Sequence, residues 1–143
     1  MKKNVIIEII SGLLAILFMY ASLSKLLNYT TFRLQVSASP VINQFAAIVW
    51  ILPVVEIMIT AMLAVNYTRK YGLYASAFLL VLFTGYICCM LVFVEHLPCS
   101  CGGVLTKLTW KQHILFNMFF LSICLVGIVL EKKENMITHD YLL

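Results

Sequence analysis

Residues 5–27 read VIIEIISGLLAILFMYASLSKLL, an apolar stretch that carries one acidic residue near its start and one basic residue near its end. At about 1.5 Å per residue, a helix of this length crosses a hydrocarbon core of about 30 Å. The core offers no water to the backbone, so a lipid-exposed single segment has to be helical there. The stretch therefore predicts a transmembrane α-helix.

Three further apolar blocks follow at about residues 44–65, 72–94 and 110–130. Together the four blocks predict an all-α integral membrane four-helix bundle, with residues 1–143 forming a single domain. The composition agrees, because 63% of the 143 residues are apolar and 11% are charged, more apolar surface than a soluble domain of this size could hide. The lipid bilayer is the expected partner, and no basic stripe suits nucleic acid.

The distribution of basic residues predicts the orientation, because Lys and Arg collect on the cytoplasmic side of a membrane. Both termini are expected in the cytoplasm. The first block also resembles a cleavable secretory signal, but Glu8 interrupts its apolar core and favours a retained helix. In this orientation Lys2, Lys3, Arg69, Lys70, Lys132 and Lys133 lie inside, against Lys25, Arg33, Lys107 and Lys111 outside.

Two cysteines in the connection between the third and fourth blocks are the main candidates for chemistry. Cys99 and Cys101 are separated by one residue and, in this orientation, face the outer side, where disulfides form and persist. A disulfide across so small a ring would be strained and easily reduced. Gly102 lets the chain turn after the pair and allows a partner to approach the sulfur atoms. The pattern predicts a redox-active pair.

Two other interpretations of this pair remain open. In the first, the pair has no redox role and is either an inert disulfide staple or two unpaired thiols. In the second, the pair binds copper(I) or zinc, and His96 and His113 supply further ligands. No methionine cluster and no second Cys-x-Cys completes a ligand set, so no metal is expected. Without a metal, His96 is expected to be a polar residue of the membrane interface.

Three more cysteines, Cys88, Cys89 and Cys124, lie inside apolar blocks. Free cysteine usually behaves as a small buried hydrophobic residue, which is the simplest expectation for all three. The alternative is that Cys88 or Cys89 exchanges with the loop pair and passes electrons inward. The sequence leaves both open.

Glu56 is placed near the middle of the second block. An ionisable side chain at that depth costs at least about 2.5 kcal/mol, so we expect it to face the bundle interior and to have a partner. Candidate partners are Lys25 and the pair His113 and Asn117, which are four apart and share a helix face. Pro53 is expected to kink the helix beside Glu56. A structural clasp and a functional site are both consistent with this pattern.

Several of these features together resemble the MauE branch of the DoxX-like membrane proteins. The resemblance is carried by Ser24-Lys25-Leu26-Leu27 and Phe32, by Pro53 and Glu56, and by Cys99-Ser100-Cys101-Gly102. Two positions differ from the usual family pattern. Gly102 stands where Phe is usual, and Phe116 precedes Asn117 where Arg is usual.

The resemblance implies a multi-pass protein of the bacterial inner membrane that is concerned with thiol and disulfide balance in the periplasm. Its activity would be thiol–disulfide exchange, with a periplasmic thioredoxin-like protein or an exported disulfide-containing substrate as partner and a membrane quinone as electron partner. A non-catalytic factor that assists maturation, as for methylamine dehydrogenase, is the main alternative. A small soft-metal-handling membrane protein is the third.

Overall fold

A computed structural model describes residues 2–39, 43–93 and 110–141, and the regular structure in these ranges is entirely helical. Four of its helices occupy the four apolar blocks, which confirms the prediction of an all-α membrane bundle. The elements are α1 (Lys2–Leu27), α2 (Tyr29–Ala38), a short 3₁₀ helix (Asn43–Phe45), α3 (Ile51–Ala64), α4 (Arg69–Phe93) and α5 (Trp110–Tyr141).

The four long elements form a closed ring in which neighbours are antiparallel. α1 packs against α3 and α5, and α4 packs against the same two helices from the opposite side. The C-terminal ends of α1 and α4 therefore lie beside the N-terminal ends of α3 and α5. We call this end of the molecule the α2 end, because α2 directly follows α1 there.

Among the described residues, three stretches are long and apolar enough to cross a membrane, namely Val5–Leu27, Arg69–Val92 and Lys111–Lys133. The fourth apolar helix, α3, has only 14 residues. Outward-facing side chains of the bundle are largely apolar, which suits a surface in contact with lipid. Examples are Ile16, Phe78, Val92 and Leu115, all of them more than half exposed.

The second apolar block becomes α-helical later than expected. The N–H of Ala46 bonds the carbonyl of Asn43 at 3.1 Å, and the N–H of Ile51 bonds that of Ile48 at 3.0 Å, so the approach to α3 has the tighter i to i+3 pattern. Pro53 lies in the first turn of α3, where a missing N–H breaks no intrahelical bond. The expected kink beside Glu56 is thus wrong, since this proline stands where a helix starts.

The bundle interior is apolar and tightly closed along most of its length. Leu14 and Phe18 of α1, Leu63 of α3 and Leu80 of α4 are at most 2% exposed and belong to one hydrophobic cluster. α3 and α4 approach so closely that a Cβ atom on Gly72 would lie 3.0 Å from the backbone nitrogen of Leu63. Among the described residues, the fully buried charged side chain is that of Glu56, which lies towards the α2 end.

α2 was not predicted from the sequence. Asn28 joins it to α1, because its N–H bonds the carbonyl of Ser24 at 3.2 Å and its own carbonyl accepts from the N–H of Phe32 at 2.9 Å. Beyond its last turn, the buried Ser39 hydroxyl donates to the sulfur of Met90 at 3.4 Å. Arg33 and Leu34 are exposed, whereas Val36 is buried. α2 is therefore an amphipathic helix that links the end of α1 to the end of α4.

Candidate functional site

An ion pair between α1 and α3 lies inside the bundle at the α2 end. The Nζ atom of Lys25 is 2.7 Å from the Oε1 atom of Glu56. The Glu56 side chain is fully buried, and that of Lys25 is 14% exposed. Lys25 stands in the last turn of α1 and Glu56 in the second turn of α3, so the antiparallel packing of these helices brings them together. Of the candidate partners for Glu56, Lys25 makes this contact.

The ammonium group of Lys25 has further partners from three elements. It lies 5.4 Å from the ring centroid of Phe83 on α4 and 5.9 Å from that of Phe32 on α2. It also donates to the carbonyl oxygen of Ala21, one turn earlier in α1, at 3.4 Å. Aromatic faces attract a cation within about 6 Å. The positive charge is therefore stabilised by two rings and a carbonyl in addition to the carboxylate.

The carboxylate of Glu56 is less completely satisfied than its partner. Within the described ranges, its Oε2 atom is buried and has no hydrogen-bond partner. Three other buried oxygen atoms of the described residues share this property, the Oγ atoms of Ser11 and Ser24 and the Oε1 atom of Gln35. A buried acceptor without a donor is unfavourable by about 1–3 kcal/mol, and by more when it is charged. The arrangement leaves an oxygen atom able to accept a hydrogen bond or a proton.

Two neutral hydrogen bonds fix α1 against α3 on either side of the ion pair. The buried Ser22 hydroxyl donates to the carbonyl oxygen of Pro53 at 3.0 Å. The Thr60 hydroxyl lies 2.9 Å from the carbonyl oxygen of Glu56 and 3.5 Å from that of Ala15. These contacts hold the backbone on which the charged side chains are mounted.

α5 contributes the other two polar candidates near this end. His113 is half-buried and lies within electrostatic range of Lys25. Asn117 follows one turn later and is 7% exposed. Both residues therefore lie on the inward side of α5, as their spacing of four predicted.

The cysteines of the described ranges do not form a cluster. Cys88 and Cys89 are free thiols exposed on the surface of α4, contrary to the simplest expectation that they are buried. Cys124 is fully buried, as expected, and its thiol donates to the carbonyl oxygen of Leu73 at 3.2 Å. Both lie on the outward surface of an apolar helix, where a small apolar side chain suits contact with lipid.

The predicted redox residues Cys99, Cys101 and Gly102, and with them His96, lie outside the described residues. Within the described ranges, no three His, Cys, Asp or Glu side chains stand close enough together to hold a metal ion. The redox and metal interpretations of the cysteine pair both remain predictions from the sequence.

Comparison with known proteins assigns most of the chain to a family. The family described as methylamine utilisation protein MauE matches residues 3–130. The chain belongs to the MauE family. This confirms the resemblance drawn from the sequence motifs. No curated protein and no solved structure matched the chain. The matched range includes both Lys25 and Glu56, and also the Cys99-Ser100-Cys101-Gly102 segment, so each candidate site falls within the MauE homology.

Two residues of the site around Lys25, Phe83 and Ser22, were not identified from the sequence. Phe83 is one of nine phenylalanines in an apolar chain, and nothing in its neighbourhood marks it as the ring that contacts a cation. Ser22 was likewise unmarked, although a hydroxyl three residues before an interior lysine is a signal that a helix face is polar. The relevant signal is the rotational position of α1, which sequence alone does not define.

Proposed function

We propose that this MauE-family protein exchanges thiols and disulfides at the outer face of a bacterial inner membrane and so supports disulfide formation or maturation of exported proteins. The observation that carries the proposal is the Cys99-Ser100-Cys101-Gly102 sequence within the matched range. Along the chain this sequence lies in the connection between α4 and α5, which joins the helices at the α2 end.

The chemistry is an exchange in which atoms and electrons balance. A thiolate from Cys99 or Cys101 attacks one sulfur of a partner's disulfide, the partner's S–S bond breaks, and the released thiolate takes up a proton. The second cysteine then attacks the mixed disulfide and releases the partner as a dithiol. This protein is oxidised by two electrons and the partner is reduced by two. The reverse sequence oxidises the partner.

The partner class follows from this chemistry and from the proposed orientation. A periplasmic thioredoxin-like protein or an exported protein with cysteines would reach a thiol pair on the outer side. A membrane quinone would serve as the final electron acceptor when the protein acts as an oxidant. The exposed thiols of Cys88 or Cys89 on α4 could exchange with the Cys99 and Cys101 pair and so pass electrons inward within the same molecule.

Trapping of mixed disulfides tests the proposal. In Cys99→Ser or Cys101→Ser, the remaining thiol of the pair cannot resolve a mixed disulfide, so a partner should stay attached on a nonreducing gel and be released by reductant. The matched control is Cys88→Ser combined with Cys89→Ser, which should trap nothing. If neither single variant traps a partner and the wild-type thiols are always reduced in cells, the proposed exchange is excluded.

The family description favours one second candidate, a non-catalytic factor in methylamine utilisation that assists maturation of a methylamine dehydrogenase-type enzyme. That role predicts full function when Cys99 and Cys101 are both replaced by Ser, and loss of function from changes on the bundle surface. A soft-metal-handling role predicts stoichiometric copper or zinc in protein purified without chelator. One preparation, divided between metal analysis and thiol alkylation, separates these outcomes.

A further inference from the structure

We propose that Glu56 is a proton-binding site inside the bundle, which exchanges a proton with the membrane surface through Lys25. The ligand is a proton, and its binding atoms are the carboxylate oxygens of Glu56. This inference does not rest on thiol–disulfide exchange, and it concerns only residues that the structure describes.

The first argument is the unequal environment of the two carboxylate oxygens. Oε1 is 2.7 Å from the Lys25 ammonium, whereas Oε2 has no hydrogen-bond partner within residues 2–39, 43–93 and 110–141, although the side chain is fully buried. Ionisable groups at such positions in membrane helices commonly belong to ion pathways or proton relays. The carboxyl group therefore has spare capacity to bind a proton.

The second argument is that Lys25 keeps its stabilising contacts when Glu56 is neutral. The rings of Phe83 and Phe32 and the carbonyl of Ala21 all contact or face the ammonium independently of the carboxylate. In an ordinary buried ion pair, neutralising one member leaves the other uncompensated. Here the cation has three remaining partners, so the pair tolerates a change of charge on one side.

The third argument is a route between the Glu56 carboxyl and the surface, which runs through the hydrogen-bonded oxygen Oε1. Lys25 is 14% exposed and Glu56 is fully buried, so the lysine joins the carboxyl to the outside. An ammonium proton moves from Nζ to the carboxylate along the 2.7 Å hydrogen bond, which leaves a neutral amine. The amine then takes a proton from water or headgroups. The net result is one added proton, on the Glu56 carboxyl.

The charged and titratable groups around the Lys25–Glu56 pair lie on four helices and differ in exposure. The other acidic residues of the described ranges are Glu8 of α1 and Glu131, Glu134 and Asp140 of α5. All of them lie towards the opposite end of these helices, so Glu56 is the one described acidic residue at the α2 end. The groups at this end of the surrounding elements are Lys25 on α1, the part-buried Tyr29 and exposed Arg33 on α2, the part-buried Tyr86 and exposed Cys88 and Cys89 on α4, and the half-buried His113 and exposed Lys111 on α5.

Infrared spectroscopy of purified protein in lipid tests the inference directly. A protonated carboxyl in an apolar site has a C=O band that is separate from the backbone amide bands. We expect a band that appears as the pH is lowered, is absent in Glu56→Gln and persists in the matched control Glu8→Gln. In Lys25→Gln the band should appear at higher pH, by about one to three pH units, because the neighbouring positive charge is gone.

The outcomes are decisive in both directions, even if Glu56→Gln does not fold. In that case the wild type and Lys25→Gln carry the test, because a Glu56 band must respond to the lysine and a band from Glu8 must not. Absence of any such band between about pH 4 and about pH 9, or a band unaffected by Lys25→Gln, overturns the inference. Either result is independent of mixed-disulfide trapping, since no cysteine takes part.

Discussion

At the scale of single residues, we expect replacement of Lys25 to lower the unfolding free energy the most. Lys25→Met removes the countercharge of a fully buried carboxylate. Removing one member of a buried pair typically lowers the unfolding free energy by about 3 kcal/mol or more. We expect a loss of that size, measured by denaturant titration of the protein in mild detergent. The double variant Lys25→Met with Glu56→Leu should regain most of the stability. If it is as unstable as the single variant, the pair does not act as a unit.

Two neighbouring serines give a second prediction at this scale. Ser22→Ala removes the hydrogen bond to the Pro53 carbonyl and leaves that acceptor buried, so the unfolding free energy should fall by about 1 kcal/mol. Ser24→Ala is the matched control, since the Ser24 hydroxyl is buried without a partner among described residues and its removal should be neutral or stabilising. Equal effects of the two variants in the same denaturant titration would contradict this assignment.

The composition of the site could be predicted only in part. The depth of Glu56 in an apolar block already required a partner, and Lys25 was one of three candidates. The choice among Lys25, His113 and Asn117 depends on how α1 and α5 are rotated against α3. That rotation is set by the packing of residues such as Phe18 and Leu63 across the interior. It cannot be predicted from a single sequence.

At the scale of elements, the close approach between the start of α4 and the end of α3 is a sensitive point. A Cβ atom on Gly72 would meet backbone atoms of α3, 3.0 Å from the nitrogen of Leu63 and 3.1 Å from the carbonyl carbon of Met62. Backbone cannot move aside as a side chain can, so Gly72→Ala should lower the unfolding free energy by about 1–3 kcal/mol. The control is Gly85→Ala in α4, where no atom lies within 4 Å of the new methyl group. Similar melting temperatures for the two variants would contradict the close approach.

Helix positions were largely predictable, and helix ends were less so. Hydropathy marks where a helix is apolar, not where it stops, so α5 continues from the predicted end near residue 130 to Tyr141. α2 was missed because half of its ten residues, YTTFRLQVSA, are polar and because the stretch is too short to show a clear helical period. It is held instead by tertiary contacts, those of Phe32 with Lys25 and of Ser39 with Met90.

At the scale of the whole molecule, the orientation in the membrane stays a prediction from charge. In a variant without native cysteines, Thr31→Cys on the exposed side of α2 should react with a membrane-impermeant maleimide added to intact spheroplasts. Tyr67→Cys, in the turn between α3 and α4 where the side chain is 90% exposed, should react only in inverted vesicles. The reason is that Arg69 and Lys70 hold this turn on the cytoplasmic side.

The opposite labelling pattern would show that the orientation is the reverse of the predicted one, with the connection between α4 and α5 in the cytoplasm. Thiols there are kept reduced, so the proposed exchange with exported proteins would fail with it. The proton-binding inference would survive, because it depends only on the contacts of Glu56.

The shortness of α3 has a consequence for the surrounding lipid. Fourteen residues at about 1.5 Å each span about 21 Å, some 9 Å less than an average hydrocarbon core. Such hydrophobic mismatch is relieved when the bilayer thins locally. Acyl chains should therefore be compressed on one flank of the protein, beside the helix that carries Glu56, and headgroups and their water would sit deeper there. Membrane thickness, and hence acyl-chain length, becomes a physical variable to which this protein is expected to respond.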